Sequence, residues 1–203
     1  MNKIAILDCS YNNSTQISNI TNLLSDFLTS NQVNVQIISI NKSRIASCNE
    51  CKICMQKNTC TPQKCFHHDE MDDIMDAIED NDAFIFLSDT NSIFSSNDVF
   101  HKFSKRLAGY YYWPFGTKSS THRKIIHDKT SVLINYNTTL GLFNKSYTTS
   151  LKQLETASIA VGADPVATLT IKPSKKADDL INEYYKEIEF CAYKLLRSLK
   201  KAS

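Results

Sequence analysis

Three short, nearly unbroken apolar runs constrain this chain more than any other feature: Ile4-Ala5-Ile6-Leu7, Ala83-Phe84-Ile85-Phe86-Leu87 and Ser131-Val132-Leu133-Ile134. A strand with one face in water alternates polar and apolar residues, whereas a strand covered on both faces is apolar throughout. Both faces are covered when helices lie on each side of a sheet, which is the habit of parallel strands joined by helical crossovers. The runs therefore predict central strands of a parallel sheet.

The segments between them carry the helices that such a sheet needs. Apolar residues recur at helical spacing at Ile17, Ile20, Leu24, Phe27 and Leu28, and again at Met71, Ile74, Met75 and Ile78 behind Asp69, a good N-cap. Val99, Phe100, Phe103 and Leu107 predict a third helix, broken around Gly109, and Tyr147, Leu151, Leu154 and Val161 a fourth that closes near Gly162. A last helix is expected over 177–199, with Ile181, Tyr184, Ile188, Cys191 and Leu195 close to heptad spacing. That stripe is expected to pack on the sheet, with a residual face available to join subunits. Val33 to Ile40 and Val166 to Ile171 supply two more strands, the second stopped by Pro173. Five strands alternating with helices predict an α/β fold with a doubly wound five-stranded parallel sheet and helices on both faces, in the flavodoxin-like order 2-1-3-4-5. The 203 residues suit a single domain over 1–203. It carries a cysteine-rich loop at 44–68 and an aromatic and basic excursion at 110–129.

A sheet of this order takes its ligand over the carboxyl ends of strands one and three, here the loops 9–16 and 88–96. The first runs Cys9, Ser10, Tyr11, Asn12, Asn13, Ser14, Thr15, Gln16 and enters a helix N-terminus, a place that binds phosphate. An N-cap and a solvated turn account for the same residues. Ser88-Asp89-Thr90-Asn91-Ser92 follows strand three, and Asn135-Tyr136-Asn137-Thr138-Thr139 follows strand four.

Five of the seven cysteines fall in one stretch, at Cys48, Cys51, Cys54, Cys60 and Cys65. The spacing Cys-x2-Cys-x2-Cys-x5-Cys suits an iron–sulfur cluster, while structural zinc more often shows two separated knuckles. Free thiols packed in a loop, or redox-active ones, fit the same residues. His67 and His68 read as solvated loop residues, and Cys9 and Cys191 as small core residues. The aromatic run Tyr110-Tyr111-Tyr112-Trp113-Pro114-Phe115-Gly116 suits a lid, a subunit contact or local packing. The formal charge of +2 comes from mixed lysines and acids without a single-sign block, which points away from nucleic acid and from a membrane surface. No run approaches the ~18 apolar residues of a membrane span, and Met1-Asn2-Lys3 leads straight into a strand rather than a signal peptide. A cytoplasmic location is expected, where thiols stay reduced.

Taken together, the pieces resemble the NAD(P)H-dependent FMN reductase family, and within it the iron–sulfur flavoproteins, over residues 3–175. Cys65-Phe66-His67-His68-Asp69-Glu70-Met71-Asp72-Asp73-Ile74 is similar to the family's Cys-Val-x-x-Asp-Asp-Met segment, and Cys48, Cys51 and Cys54 match the trio ahead of it. The family's phosphate loop reads Gly-Ser-x-Arg-x-x-Ser-x-Thr or similar. Cys9, Ser10, Asn12, Ser14 and Thr15 fall on it, keeping the hydroxyls and lacking the glycine and the arginine. The family's Ser-Pro-Val-Tyr, with a later Asp-Arg pair, keeps here Ser88 and Arg106. The resemblance implies FMN, with its phosphate at Ser10, Asn12, Ser14, Thr15 and Gln16 and its ring beside Ser88, Asp89, Thr90, Asn91, Asn135 and Asn137. It implies NAD(P)H as co-substrate and a [4Fe–4S] cluster on Cys48, Cys51, Cys54 and Cys60, with Cys65 a non-ligand. The electron acceptor would be that cluster or a small molecule such as a quinone, a nitro compound or free flavin, and the assembly a homodimer or homotetramer. The cofactor carries such chemistry, so no catalytic acid or base is assigned. An electron carrier that ignores nicotinamide, or a thiol- or metal-sensing binding protein, are the readings from other classes.

Overall fold

The computed structural model describes residues 2–11, 14–90, 98–124, 127–137, 144–172 and 179–202. In chain order the elements are β1 (Lys3–Asp8), α1 (Thr15–Ser30), β2 (Asn34–Ser39), α2 (Glu70–Asp80), β3 (Ala83–Thr90), α3 (Asp98–Arg106), β4 (Tyr111–Tyr112), β5 (Thr121–His122), β6 (Lys129–Asn137), α4 (Asn144–Ala160), β7 (Ala163–Ile171) and α5 (Asp179–Ala202). Five strands form one sheet in the order β2-β1-β3-β6-β7, every pair parallel. β4 and β5 form a separate antiparallel hairpin, so the main sheet has the order expected from the sequence. Among the described residues no helix is long and apolar enough to cross a membrane.

The apolar runs are continuous because their alternate side chains serve two cores. Ile4, Ile6, Ile85, Leu87, Val132 and Ile134 meet Ile17, Ile20, Leu24 and Leu28 of α1 and Ile188, Cys191 and Leu195 of α5. Ala5, Leu7, Phe84, Phe86 and Leu133 face the other way, onto α2, α3 and α4. β6 extends beyond the apolar run to Lys129 and Asn137, and β7 starts at Ala163. At those ends the backbone pairing continues through polar residues, which the hydrophobic pattern does not register.

Both helices that border the ligand end begin on a side-chain cap. Ser14 Oγ accepts from the Ile17 N–H at 3.2 Å, and Asp69 Oδ1 from the Met71 N–H at 3.1 Å. Asp69 also forms a two-pronged ion pair with Arg106, at 2.8 and 3.0 Å, and accepts from the Ala46 N–H at 2.8 Å. Arg106 in turn donates to the carbonyls of Ala46 and His67, so both ends of the cysteine loop are tied to one buried guanidinium. A second buried arginine, Arg123, holds the middle of that loop through the carbonyls of Cys54, Lys57 and Thr59. The break after α3 has a steric cause. A Cβ at Gly109 would lie 2.2 Å from the Gln63 carbonyl oxygen, while the Gly109 carbonyl accepts from the Gln63 N–H and from Arg123 Nε.

Two outcomes follow. Gly109→Ala must push the loop backbone away and should cost about 1–3 kcal/mol in urea unfolding; unchanged stability would show that the loop yields freely. Arg106→Leu strands the Asp69 carboxylate and should cost about 3 kcal/mol at neutral pH. Burial alone would push the Asp69 carboxyl up, yet hydrogen bonds from Arg106, Ala46 and Met71 hold it below its ordinary value. A carboxyl depressed by folding stabilises above its unfolded value, near 3.9, and loses that contribution as pH falls through the lower folded value. Unfolding of the wild type measured from pH 5 to pH 2 should therefore show an acid-linked loss that is smaller in Arg106→Leu, where only the Ala46 and Met71 hydrogen bonds still hold the Asp69 carboxyl down.

Candidate functional site

Two groups of candidate site residues lie at the carboxyl ends of the strands. The first is the switch point between β1 and β3. Asp8 ends β1 with a buried carboxylate, whose Oδ1 accepts from the Ser10 N–H at 3.0 Å and from the Ser10 hydroxyl at 2.6 Å. Asn41 Nδ2 donates to Ser10 Oγ at 3.0 Å and to Asp8 Oδ2 at 3.3 Å. Asp89, at the end of β3, accepts from the Tyr11 N–H. The loop after β1 is thus braced from three sides. Cys9 is buried within it, and burial first, then the Asp8 charge, holds its thiol well above the ordinary value. An un-ionised buried thiol is a packing residue rather than a nucleophile.

The expected flavin residues divide accordingly. Ser10 is fully buried and bonded inside its own loop, Ser14 is occupied as the α1 cap, and Ser88 donates to Asn135 Oδ1 at 2.9 Å across β3 and β6. Thr15 is exposed on the first turn of α1, with Gln16 and Asn137 half-buried. Thr90 ends β3. Asn12 and Asn91 lie outside the described residues.

The second group is the cysteine loop. Cys48, Cys51, Cys54 and Cys65 line one cavity of about 260 Å³, together with Met55 and Phe66, and with Lys52, Lys105 and Arg106 at its cationic side. Cys60, the expected fourth ligand, is exposed and lies outside that lining, while Cys65, expected to stand apart, is part of it. The cause is the anchoring. Arg123 holds the carbonyl and hydroxyl of Thr59, and Gln63 is fixed to Gly109, which fastens the residues around Cys60 to the β4–β5 side. Arg106 grips His67 and Asp69 and brings the end of the loop back to the trio. Burial first, then Cys65, Cys48 and Cys51, pushes the Cys54 thiol up, as expected where four thiols share one space. Among the described residues no three His, Cys, Asp or Glu side chains converge to hold a metal ion.

The backbone between the first three cysteines is unusual. Glu50 and Lys52 both take positive φ, 55° and 60°, on either side of Cys51, a conformation that non-glycine residues adopt at some cost and mostly at functional positions. Glu50 N–H donates to Cys48 Sγ at 3.4 Å. The aromatic excursion packs on this loop: Tyr110 is buried, Trp113 N–H donates to the Met55 carbonyl, and Lys52 Nζ sits 3.7 Å above the Trp113 ring. Phe115 is fully exposed. His68 lies in reach of Asp72, and His67 of Asn49, both on the exposed rim.

Asn41 and Arg123 are the residues that sequence reasoning passed over. Asn41 follows a strand with no motif around it, and Arg123 sits in a basic segment where its partners are carbonyls far away in the chain. No signal in residue type or spacing marks either one.

No family model and no curated protein sequence matches the chain. Solved structures do. A short-chain flavodoxin associated with a non-canonical PDU bacterial microcompartment aligns over 100% of both chains at 12% identity and a TM-score of 0.61. An FMN-dependent NADH-azoreductase from Bacillus anthracis in complex with FMN aligns at 12% identity and a TM-score of 0.65, covering 96% of this chain and 99% of that one. An NAD(P)H:quinone oxidoreductase from Methanothermobacter marburgensis gives 12% and 0.64, over 94% and 97%. At such identities the likeness extends to architecture, and it agrees with the strand order: the fold is flavodoxin-like.

Proposed function

We propose that the protein binds FMN at the β1–β3 switch point and acts as an oxidoreductase between NAD(P)H and an electron acceptor. The observation that carries this reading is the strand order itself, which opens the sheet between β1 and β3 with a polar loop leading into the N-terminus of α1. The known proteins that share the architecture include an FMN-dependent azoreductase and a quinone oxidoreductase, which supports the reaction class.

The residues present fit the phosphate end of the cofactor. The first-turn amides of α1 carry the positive end of the helix dipole, and the exposed Thr15 hydroxyl adds a donor. Asp8 and Asp89 lie close by, but their oxygens already accept from Ser10, Asn41 and Tyr11. Their role is to hold the loop in shape. Ser88 and Asn135, bonded to each other, fix the adjacent ends of β3 and β6 and set the rigid floor on which the ring would lie. Bound FMN would supply the hydride and electron chemistry, with the acceptor either a small molecule such as a quinone, nitro compound or free flavin, or a cysteine-ligated cluster. The protein's share is orientation and exclusion of water.

Calorimetric titration with FMN is the direct measurement. Binding at micromolar concentration or tighter is expected, and Thr15→Ala should weaken it about tenfold by removing one hydrogen bond to a charged group while leaving helix content unchanged. Absence of heat at tens of micromolar FMN would remove the reading. Anaerobic addition of NADH or NADPH to the FMN-loaded protein should then bleach the flavin absorbance within seconds. Binding without bleaching by either nucleotide would instead support an electron carrier.

A further inference from the structure

We infer that the outward face of α5 is the interface of a homodimer, in which the helix pairs antiparallel with its own copy across a two-fold axis level with Phe190. This goes beyond the flavin reading and does not depend on it. α5 buries one side, with Ile188, Cys191, Ala192, Leu195 and Leu199 in the core it shares with α1 and the sheet. On the opposite side Glu183, Lys186, Glu187, Phe190, Tyr193, Lys194 and Arg197 are all exposed. At 3.6 residues per turn these seven fall in one stripe, about 21 Å long. Phe190 and Tyr193, 56% and 54% exposed, stand at its middle, and the Lys194 ammonium lies 4.7 Å above the Phe190 ring. A lone aromatic on a surface is ordinary. Two adjoining ones ringed by charge have the apolar centre and polar rim of a protein interface.

The order of the charges says what covers this stripe. Residues seven apart lie on the same side of a helix, so the stripe has three columns. Glu183, Phe190 and Arg197 form the central one, Glu187 and Lys194 a second, and Lys186 and Tyr193 the third. A two-fold axis perpendicular to the helix at Phe190 reverses each column end for end and leaves it on its own side. Glu183 then faces the partner's Arg197, Glu187 the partner's Lys194, and Lys186 the ring of the partner's Tyr193, while Phe190 meets its own copy. Both charge pairs are of opposite sign, and the third contact is a cation over an aromatic ring. Parallel pairing would set every charge against itself, and a partner of one sign would be repelled at one end of the stripe. Within a single copy the neighbours are unfavourable: Glu183 and Glu187 are four residues apart, Lys194 and Arg197 three. Among the described residues none of these four forms an ion pair in its own chain. The antiparallel copy brings each of them the opposite charge.

The test is sedimentation of the full chain in low salt, from micromolar to a few hundred micromolar protein. An interface this small and polar should give a weak dimer, half-formed at tens of micromolar, and added salt should weaken it by screening the charge pairs. Glu183→Arg and Arg197→Glu should each weaken association about tenfold, because the two-fold axis presents each reversed charge twice. The chain carrying both reversals should dimerise as the wild type does, since each charge again faces its opposite. Circular dichroism should be unchanged in all three variants, whose altered residues are exposed. A wild type that stays monomeric throughout would overturn the inference and leave the face to a different protein. A dimer indifferent to both single reversals would overturn it too, by placing the interface elsewhere. Weakening by the single reversals without recovery in the double variant would exclude the antiparallel register.

Discussion

The Asp69–Arg106 pair is the contact on which the ligand end of this molecule depends. A guanidinium at 4% exposure is expensive to bury, and the expense is offset only if its donors find matched acceptors. Here they find a carboxylate in two-pronged geometry and two carbonyls, from Ala46 and His67. Asp69 serves three masters at once, capping α2, holding the Ala46 amide and neutralising Arg106. The end of α3, the start of α2 and both ends of the cysteine loop therefore share one electrostatic joint. Because α2 covers Phe84 and Phe86 on the sheet, the same joint fixes how the loop stands relative to the core. One side chain thus holds this long loop at both ends, and the arrangement accounts for its settled shape.

Much of the fold was legible because burial on two faces leaves a signature in composition. Runs such as Ile4 to Leu7 cannot be half-exposed strands, and the helical spacing around them gives the crossovers. The limits of strands were less legible, since β6 is extended through the polar residues Lys129, Thr130 and Asn137, whose backbone pairing leaves no mark in the apolar pattern. The site was read in part. Asp69 was visible as a cap, but its partner Arg106 lies 37 residues away, and nothing in the chain between them announces the pair. Gly109 was visible as an interruption, though its reason, the Gln63 carbonyl, is tertiary.

Cysteine spacing shows the same limit. Intervals of two, two and five residues count positions along a chain and carry no direction, so Cys60 and Cys65 are equal candidates until something turns the loop. What turns it is the pair of arginines, one fastening Thr59 to the hairpin side and the other drawing His67 back toward Cys48. Arg123 has no detectable signature because backbone carbonyls, its partners, are present at every residue. Charges that bind main chain are invisible to pattern reading, and here one of them decides which thiols face one another.

The two groups at the carboxyl ends of the strands differ in charge and are joined mechanically. Around the β1–β3 switch point the buried charges are the carboxylates of Asp8 and Asp89, so an anion there must rely on main-chain amides and the α1 dipole. Around the cysteines stand Lys52, Lys105 and Arg106, with Arg123 beneath. Asn41 connects the two regions. It lies in the short turn that follows β2 and leads to the cysteine loop, and its amide donates to both Asp8 and Ser10 of the loop after β1. Residues 40–42 cannot move without breaking hydrogen bonds at the switch point, and the loop after β1 cannot move without pulling on Asn41. The polar bridge through Asn41 thus holds the turn that leads into the cysteine loop at a fixed position relative to the switch point.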